Sequence, residues 1–159
     1  MALTIRFAGR DDAETILAFI RELAAYEREP QAVATSAATL ALQLGSPRPP
    51  FECLLAEEGG AAQGFALYFH NYSTWRGRPG LYLEDLYVRP EHRRRGVGLA
   101  LLRELARLAR ERGCARMEWA VLDWNQPAID FYLKLGAVPL AEWTTFRLDG
   151  EPLRRLAEE

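Results

Sequence analysis

Apolar and polar residues alternate at the start of the chain. Leu3, Ile5 and Phe7 are separated by Thr4 and Arg6, and this two-residue period predicts a first strand. The period then lengthens: Ile16, Leu17, Ile20, Leu23 and Ala24 recur at helical spacing. Asp11 and Glu14 stand before them with the spacing of a capping box, and the helix is expected to end near Tyr26, ahead of Pro30. Leu40 and Leu44 predict a second helix, capped by Thr35 or Ser36 and ended by Gly45. Residues 51–57 and 63–69 read as strands joined by a Glu58-Gly59-Gly60 hairpin turn, with turn-rich loops at 46–50 and 71–80.

Residues 81–88 carry the strongest strand pattern. Leu81, Leu83, Asp85 and Tyr87 fall on one face, Tyr82, Glu84, Leu86 and Val88 on the other, and Pro90 stops the strand. Residues 99–112 carry the clearest helical stripe, with Leu101, Leu102, Leu105, Leu108 and Ala109 in register and Gly113 where a terminal glycine is expected. A strand over 116–121 follows. Asn125 then caps a short helix with Pro127 in its first turn, Ile129, Tyr132 and Leu133 on one face and Gly136 at its end. A last strand over 142–148 precedes a polar tail with Leu153 and Leu156. The order β-α-α-β-β-β-α-β-α-β predicts one α/β domain over residues 1–159, a mixed sheet with helices on both faces. Ligands of such sheets bind beyond the carboxyl ends of strands, which directs attention to Val88 and the helix start near Gly98.

Composition changes this picture little. Of 159 residues 49% are hydrophobic and 26% charged, enough for a core and unlike a disordered chain. The formal net charge of -2 argues against a general nucleic-acid binder. Cys53 and Cys114 have no Cys or His at metal-ligand spacing, so no metal site is expected. Charge appears too early at the N-terminus for a secretory signal, and no apolar run approaches the ~18 residues of a membrane span. The expectation is a cytoplasmic protein with neither membrane nor nucleic-acid partner.

Between the strand at 81–88 and the following helix lies Arg93-Arg94-Arg95-Gly96-Val97-Gly98. A helix N-terminus presents unpaired N–H groups and partial positive charge, glycines let backbone approach a ligand, and arginines add counter-charge. Those features suit a pyrophosphate; a solvated basic turn, or for Arg93 to Arg95 alone a nucleic-acid patch, is the alternative. No Lys-Ser/Thr follows Gly98, so this is not a Walker loop, nor is it G-x-G-x-x-G.

Arg93-x-x-Gly96-x-Gly98 after such a strand resembles the acyl-CoA motif of the GNAT superfamily of N-acetyltransferases. Tyr72-Ser73-Thr74-Trp75, Tyr82 through Val88, Ala120 through Asn125, Tyr132 and Leu135-Gly136-Ala137 are similar to the branch containing diamine (spermidine/spermine) and thialysine acetyltransferases. The resemblance implies a mixed, mostly antiparallel central sheet with helices on both faces, and acetyl-CoA as co-substrate. It implies that Leu86, Tyr87 and Val88 meet the pantetheine arm with their backbone. Arg94, Arg95, Gly96, Val97, Gly98 and Leu99 would hold the pyrophosphate, Arg93 opening the motif, while Asn125 and Ala128 also contact the cofactor. Tyr132 matches the general acid and Glu84 the carboxylate that helps deprotonate the amine, through water. Tyr26 and Glu27 match the substrate channel, which Glu118, Trp119 and Ala120 border.

The chemistry requires such groups. An alkyl ammonium with a pKa of about 10.4 must lose a proton before it attacks a thioester, and the leaving thiolate, of pKa about 8.5, must gain one. Glu84 reads either as this base or as a solvated residue on an alternating strand, and Tyr132 can be core at its ring and acid at its tip. An N–H near Leu86 or Tyr87 would serve the oxyanion. His70 and His92 match no family catalytic position and read as structural or exposed. The resemblance therefore implies acetylation of a primary amine on a small molecule, a diamine or polyamine or a lysine-like amino acid such as thialysine. Acetylation of a protein N-terminus or lysine, and non-catalytic sensing of acyl-CoA, remain alternatives. Relatives of this kind are usually homodimers with C-terminal strands across the interface, a surface that Trp143, Phe146 and Leu148 would supply, with ordinary core as the equal alternative.

Overall fold

A computed structural model describes residues 2–159. The chain divides into two compact units, the first ending at Ala120 and the second covering Val121–Glu159.

The first unit holds a five-stranded sheet in the order β1 (Leu3–Phe7), β2 (Glu52–Glu58), β3 (Ala61–Ser73), β4 (Arg78–Val88), β5 (Met117–Glu118). The first four strands pair antiparallel, and β5 runs parallel to β4. Helix α1 (Ala13–Tyr26) and helix α2 (Ala37–Leu44) enclose one core on the sheet: Ile16, Leu17, Phe19 and Leu40 against Cys53, Leu55, Phe65, Leu67 and Tyr87. Alternation sends Leu54, Ala56, Ala66 and Tyr68 to the other face, where they are fully buried. Helix α3 (Val97–Glu111) packs on β1 to β4 through Leu101, Leu102, Leu105 and Leu108. Each such Leu, Ile or Phe contributes roughly 1.5–3 kcal/mol by leaving water.

Several local expectations are corrected. A 3-10 turn over Arg10–Asp12 precedes α1, and Asp12, not Asp11, organises it: its carboxylate accepts from the Gly9 N–H at 2.8 Å and from Arg6 at 2.8 and 3.0 Å. The loop expected at 71–80 is mostly strand, because pairing such as Tyr72 with Pro79 and Asn71 with Gly80 outweighs the turn propensity of those residues. Only the turn at 74–77 remains.

The alternation read along residues 81–88 also fails. Tyr68 lies opposite Leu83 and Leu67 opposite Asp85, so Glu84 is an extra residue without a partner, a β-bulge. Tyr82, Asp85 and Tyr87 therefore share the α1 face, while Leu81, Leu83 and Leu86 share the α3 face. The bulge also explains why β5 is shorter than 116–121: it pairs only at Leu81 with Met117 and Tyr82 with Glu118, just before β4 bends.

The second unit carries α4 (Gln126–Lys134) and α5 (Gly150–Glu158). Asn125 caps α4 by accepting from the Ala128 N–H, and Gly136 follows it with φ 92°. Residues 142–148 form no strand, since no neighbouring strand among the described residues accepts their backbone groups. The polar tail is helical as α5, its Leu153 and Leu156 exposed.

β3 and β4 approach closely at Gly64, where an added Cβ would lie 2.6 Å from the Tyr87 carbonyl oxygen and 3.1 Å from Val88 Cγ2. Gly64→Ala is expected to cost about 1–3 kcal/mol by forcing these strands apart. Urea unfolding measures this, and an unchanged midpoint would contradict the close approach.

Candidate active site

The bulge gives two consecutive carboxylates different surroundings. Glu84 is exposed at the extra position, whereas Asp85 faces α1 opposite Leu67. Burial, reinforced by the negative charges of Glu84 and Glu27, pushes the Asp85 carboxyl up to about 6. Glu27 is the C-cap of α1, and burial raises its carboxyl as well. Its position is set by a paired terminus: the Arg28 N–H donates to Ala25 O at 3.1 Å and the Glu29 N–H to Ala24 O at 2.9 Å. Arg28 takes the left-handed conformation (φ 66°) where glycine is usual, a strain of roughly 1–2 kcal/mol.

Tyr82 lies on the same face as Asp85, and burial, then Glu84 and Glu118, raise its hydroxyl. Glu118 in turn pairs with Arg116 at 3.0 Å. Glu27, Glu84, Asp85 and Glu118 therefore act on a common region, an arrangement that attracts a cation and can accept its proton. Trp119 beside them is half-buried, Tyr26 and Ala120 are exposed. Glu29 turns to Gln31, which donates to it at 3.0 Å.

At the other end of β4 the β5 side of residues 83–88 has no strand neighbour among the described residues. Leu86, Tyr87 and Val88 lie along this edge. The Tyr87 ring is buried near Phe19, and its hydroxyl donates to Glu22, which also accepts from Arg89 at 3.0 and 3.1 Å. The chain then passes through Arg94 (φ 63°) and Gly96 (φ 80°), two left-handed residues that lead into the start of α3. The first α3 hydrogen bond runs from the Ala100 N–H to Gly96 O, so the N–H groups of Val97, Gly98 and Leu99 precede it. Val97 is buried and anchors the turn. A Cβ at Gly98 would meet only Val88 Cγ2, at 3.9 Å, so the space beside this glycine is open. Open space at a helix N-terminus, with Arg94 and Arg95 exposed beside it, fits a pyrophosphate. Arg93 turns away, its Nε donating to Val88 O at 2.8 Å.

Asn125, Ala128 and Tyr132 belong to the second unit. The Asn125 side chain is engaged in capping, and the half-buried Tyr132 ring lies 5.7 Å from that of Phe131. His70 is exposed, near Glu52 and Arg112, and His92 has a buried Nδ1 in the turn after β4.

The family model described as acetyltransferase (GNAT) matches residues 16–137. The chain belongs to the acetyltransferase (GNAT) family. Thialysine N-epsilon-acetyltransferase of Sus scrofa is 41% identical over 98% of either chain, and that of Bos taurus 42% over 96%. Among solved structures, an integron cassette protein from the mobile metagenome of V. cholerae superposes with a TM-score of 0.84 at 27% identity, covering 100% of this chain and 99% of its own. The acetyltransferase fold thus rests on sequence and structure together. Asp85 is the functional candidate that strict alternation concealed; the signal for it was an acidic doublet, Glu84-Asp85, inside an apolar strand.

Because Asp85 is raised when folded, the native protein binds a proton more tightly than the unfolded chain between about pH 4 and 6, and stability falls as pH rises through that window. Asp85→Asn removes the loss. The variant should gain on the order of 2 kcal/mol over the wild type at pH 7.5, a difference that largely vanishes at pH 4. Urea denaturation at both pH values measures it; a pH-independent difference would contradict the shift.

Proposed function

We propose that this acetyltransferase moves the acetyl group of acetyl-CoA to a primary amine of a small cationic molecule, with a thialysine- or lysine-like amino acid favoured and a short diamine as the related case. The observation that carries this reading is the half-buried Asp85, under the negative charges of Glu84 and Glu27, on the same strand that leads into the glycine turn of α3. The near-full-length identity to the thialysine enzymes supports the amino-acid side of the substrate class.

When bound, acetyl-CoA supplies the thioester carbon that the amine attacks. The exposed arginines and the first-turn N–H groups of α3 hold its phosphates, and the open edge at Leu86, Tyr87 and Val88 receives the pantetheine arm. Asn125 and Ala128 add to the cofactor site. Tyr26, Glu27, Glu118, Trp119 and Ala120 border the approach of the amine. Asp85 draws the ammonium by charge, and Glu84, exposed to solvent, takes its proton through water. A backbone N–H at Leu86 or Tyr87 steadies the oxyanion. As the C–N bond forms and the C–S bond breaks, Tyr132 gives its proton to the departing thiolate.

The family match crosses the division after Ala120, which supports one acetyltransferase domain over the whole chain. No residue of α4 or α5 is buried, and Val138, Trp143 and Phe146 are 77%, 64% and 91% exposed. So much apolar surface favours cover by a second copy, whose backbone would also give residues 142–148 a strand partner. Two free thiols, Cys53 and Cys114, suit a reducing compartment, which supports a cytoplasmic location.

Coenzyme A release from acetyl-CoA, measured with thialysine, lysine, putrescine, spermidine and a basic peptide, tests the activity. Fast turnover is expected on one small amine, and turnover confined to the peptide would reject the small-molecule reading. Tyr132→Phe should lower kcat by about 10²-fold or more with little change in KM; an unchanged kcat removes Tyr132 as the acid. Sedimentation equilibrium should give twice the 18.0 kDa chain mass, and a single species at 18.0 kDa would exclude the dimer.

A further inference from the structure

The geometry points to Arg93 as a positioning residue that couples the phosphate turn to the mouth of the amine channel. This rests on the functional reading above, in which Tyr26 and Glu27 border the amine and the turn after Arg93 holds the cofactor.

Arg93 belongs to the basic run and is exposed like Arg94 and Arg95, yet its guanidinium is engaged by the strand and helix beside it. Its Nε donates to the carbonyl of Val88, the last residue of β4. Its guanidinium carbon lies 5.1 Å from the ring centroid of Tyr26 and 5.5 Å from that of Tyr87. Tyr26 is the last residue of α1, immediately before Glu27. One rigid, permanently charged fork therefore touches three elements at once: the end of the strand that carries Asp85, the end of the helix that carries Glu27, and, through its own backbone, the turn that leads to Gly96.

The consequence is mutual. Arg94 and Gly96 are both left-handed, and at the start of this turn the exposed Arg93 rests on Tyr26 and Tyr87. A phosphate seated on the turn holds this arrangement, pins the guanidinium on Tyr26, and steadies the α1 terminus that presents Glu27. Cofactor binding thereby prepares the amine site, and by linkage an amine in place tightens the cofactor. A solvated basic residue would transmit nothing, and a plain phosphate ligand would leave α1 unaffected.

Amide hydrogen exchange at Glu27, Arg28 and Glu29, with and without coenzyme A itself, reads this coupling without requiring the right amine. These three N–H groups are the donors that close α1. In the wild type, saturating coenzyme A should slow their exchange by about fivefold or more, the scale of an ordinary coupling free energy. Arg93→Met, at coenzyme A concentrations that saturate the variant, should lose that slowing while protection within α3 remains. Arg93→Lys, which keeps a cation over the rings, should restore part of it. Tyr26→Leu removes the receiving ring from the other side and should have the same effect as Arg93→Met, even if the latter folds poorly. No slowing in the wild type, or full slowing in Arg93→Met or in Tyr26→Leu, overturns the coupling. Turnover on none of the small amines, with the exchange result intact, would instead reject the substrate reading and leave Arg93 in its role.

Discussion

β3 and β4 slip by one residue between Leu67 and Tyr68, and the strand that gains the extra residue is β4, at Glu84. The bend has two effects. It ends the pairing with β5 after Tyr82, which leaves the far half of β4 with an unpaired edge. It also breaks the two-residue period, so Glu84 stays in solvent while Asp85 is carried under α1. Partial burial, then the negative charges of Glu84 and Glu27, lifts the Asp85 carboxyl to about 6. In the proposed function the two divide the work: Asp85 holds the cation, and Glu84, in contact with water, passes a proton on.

The other end of the same strand is organised by close approach and fixed backbone. Gly64 lets β3 lie against the Tyr87 carbonyl. Tyr87 and Arg89 then share Glu22 of α1, while Arg89 also stacks on Phe19 at 4.8 Å. These contacts tie the helix that ends at Glu27 to the strand that ends at Val88. Beyond Val88, two left-handed residues, Arg94 and Gly96, lead into the N-terminus of α3. Strain at Arg28 and at Arg94 is retained where acidic and basic groups must be presented, which is where backbone strain tends to persist.

Much of this was legible before any coordinates. The stripe from Leu101 to Ala109 has an unambiguous helical period, and α3 buries those positions. Gly59-Gly60, Gly113 and Gly136 mark turns by conformations that side chains disfavour, and all four have positive φ. The residues around Arg93-x-x-Gly96-x-Gly98 resembled the family to which the chain belongs. The bulge was not legible, because an apolar strand with one extra residue has the same composition as one without it. Asp85 was consequently assigned to the wrong neighbours. The strand at 142–148 failed for a different reason. Its Trp-Thr-Thr-Phe pattern is a genuine β signal, but a strand is a relation between two segments, and the described chain provides no second one. Residues 71–80 show the converse, turn-forming residues held extended by a partner.

In the proposed mechanism the bulge that separates Glu84 from Asp85 joins fold to chemistry, and the pH dependence of kcat/KM for thialysine tests this most directly. With Asp85 required in its charged form, kcat/KM for the wild type should rise with pH through an inflection near 6, and Asp85→Asn should be slower and lack that inflection. An identical inflection in both proteins would contradict the account, because the titrating group would then lie elsewhere.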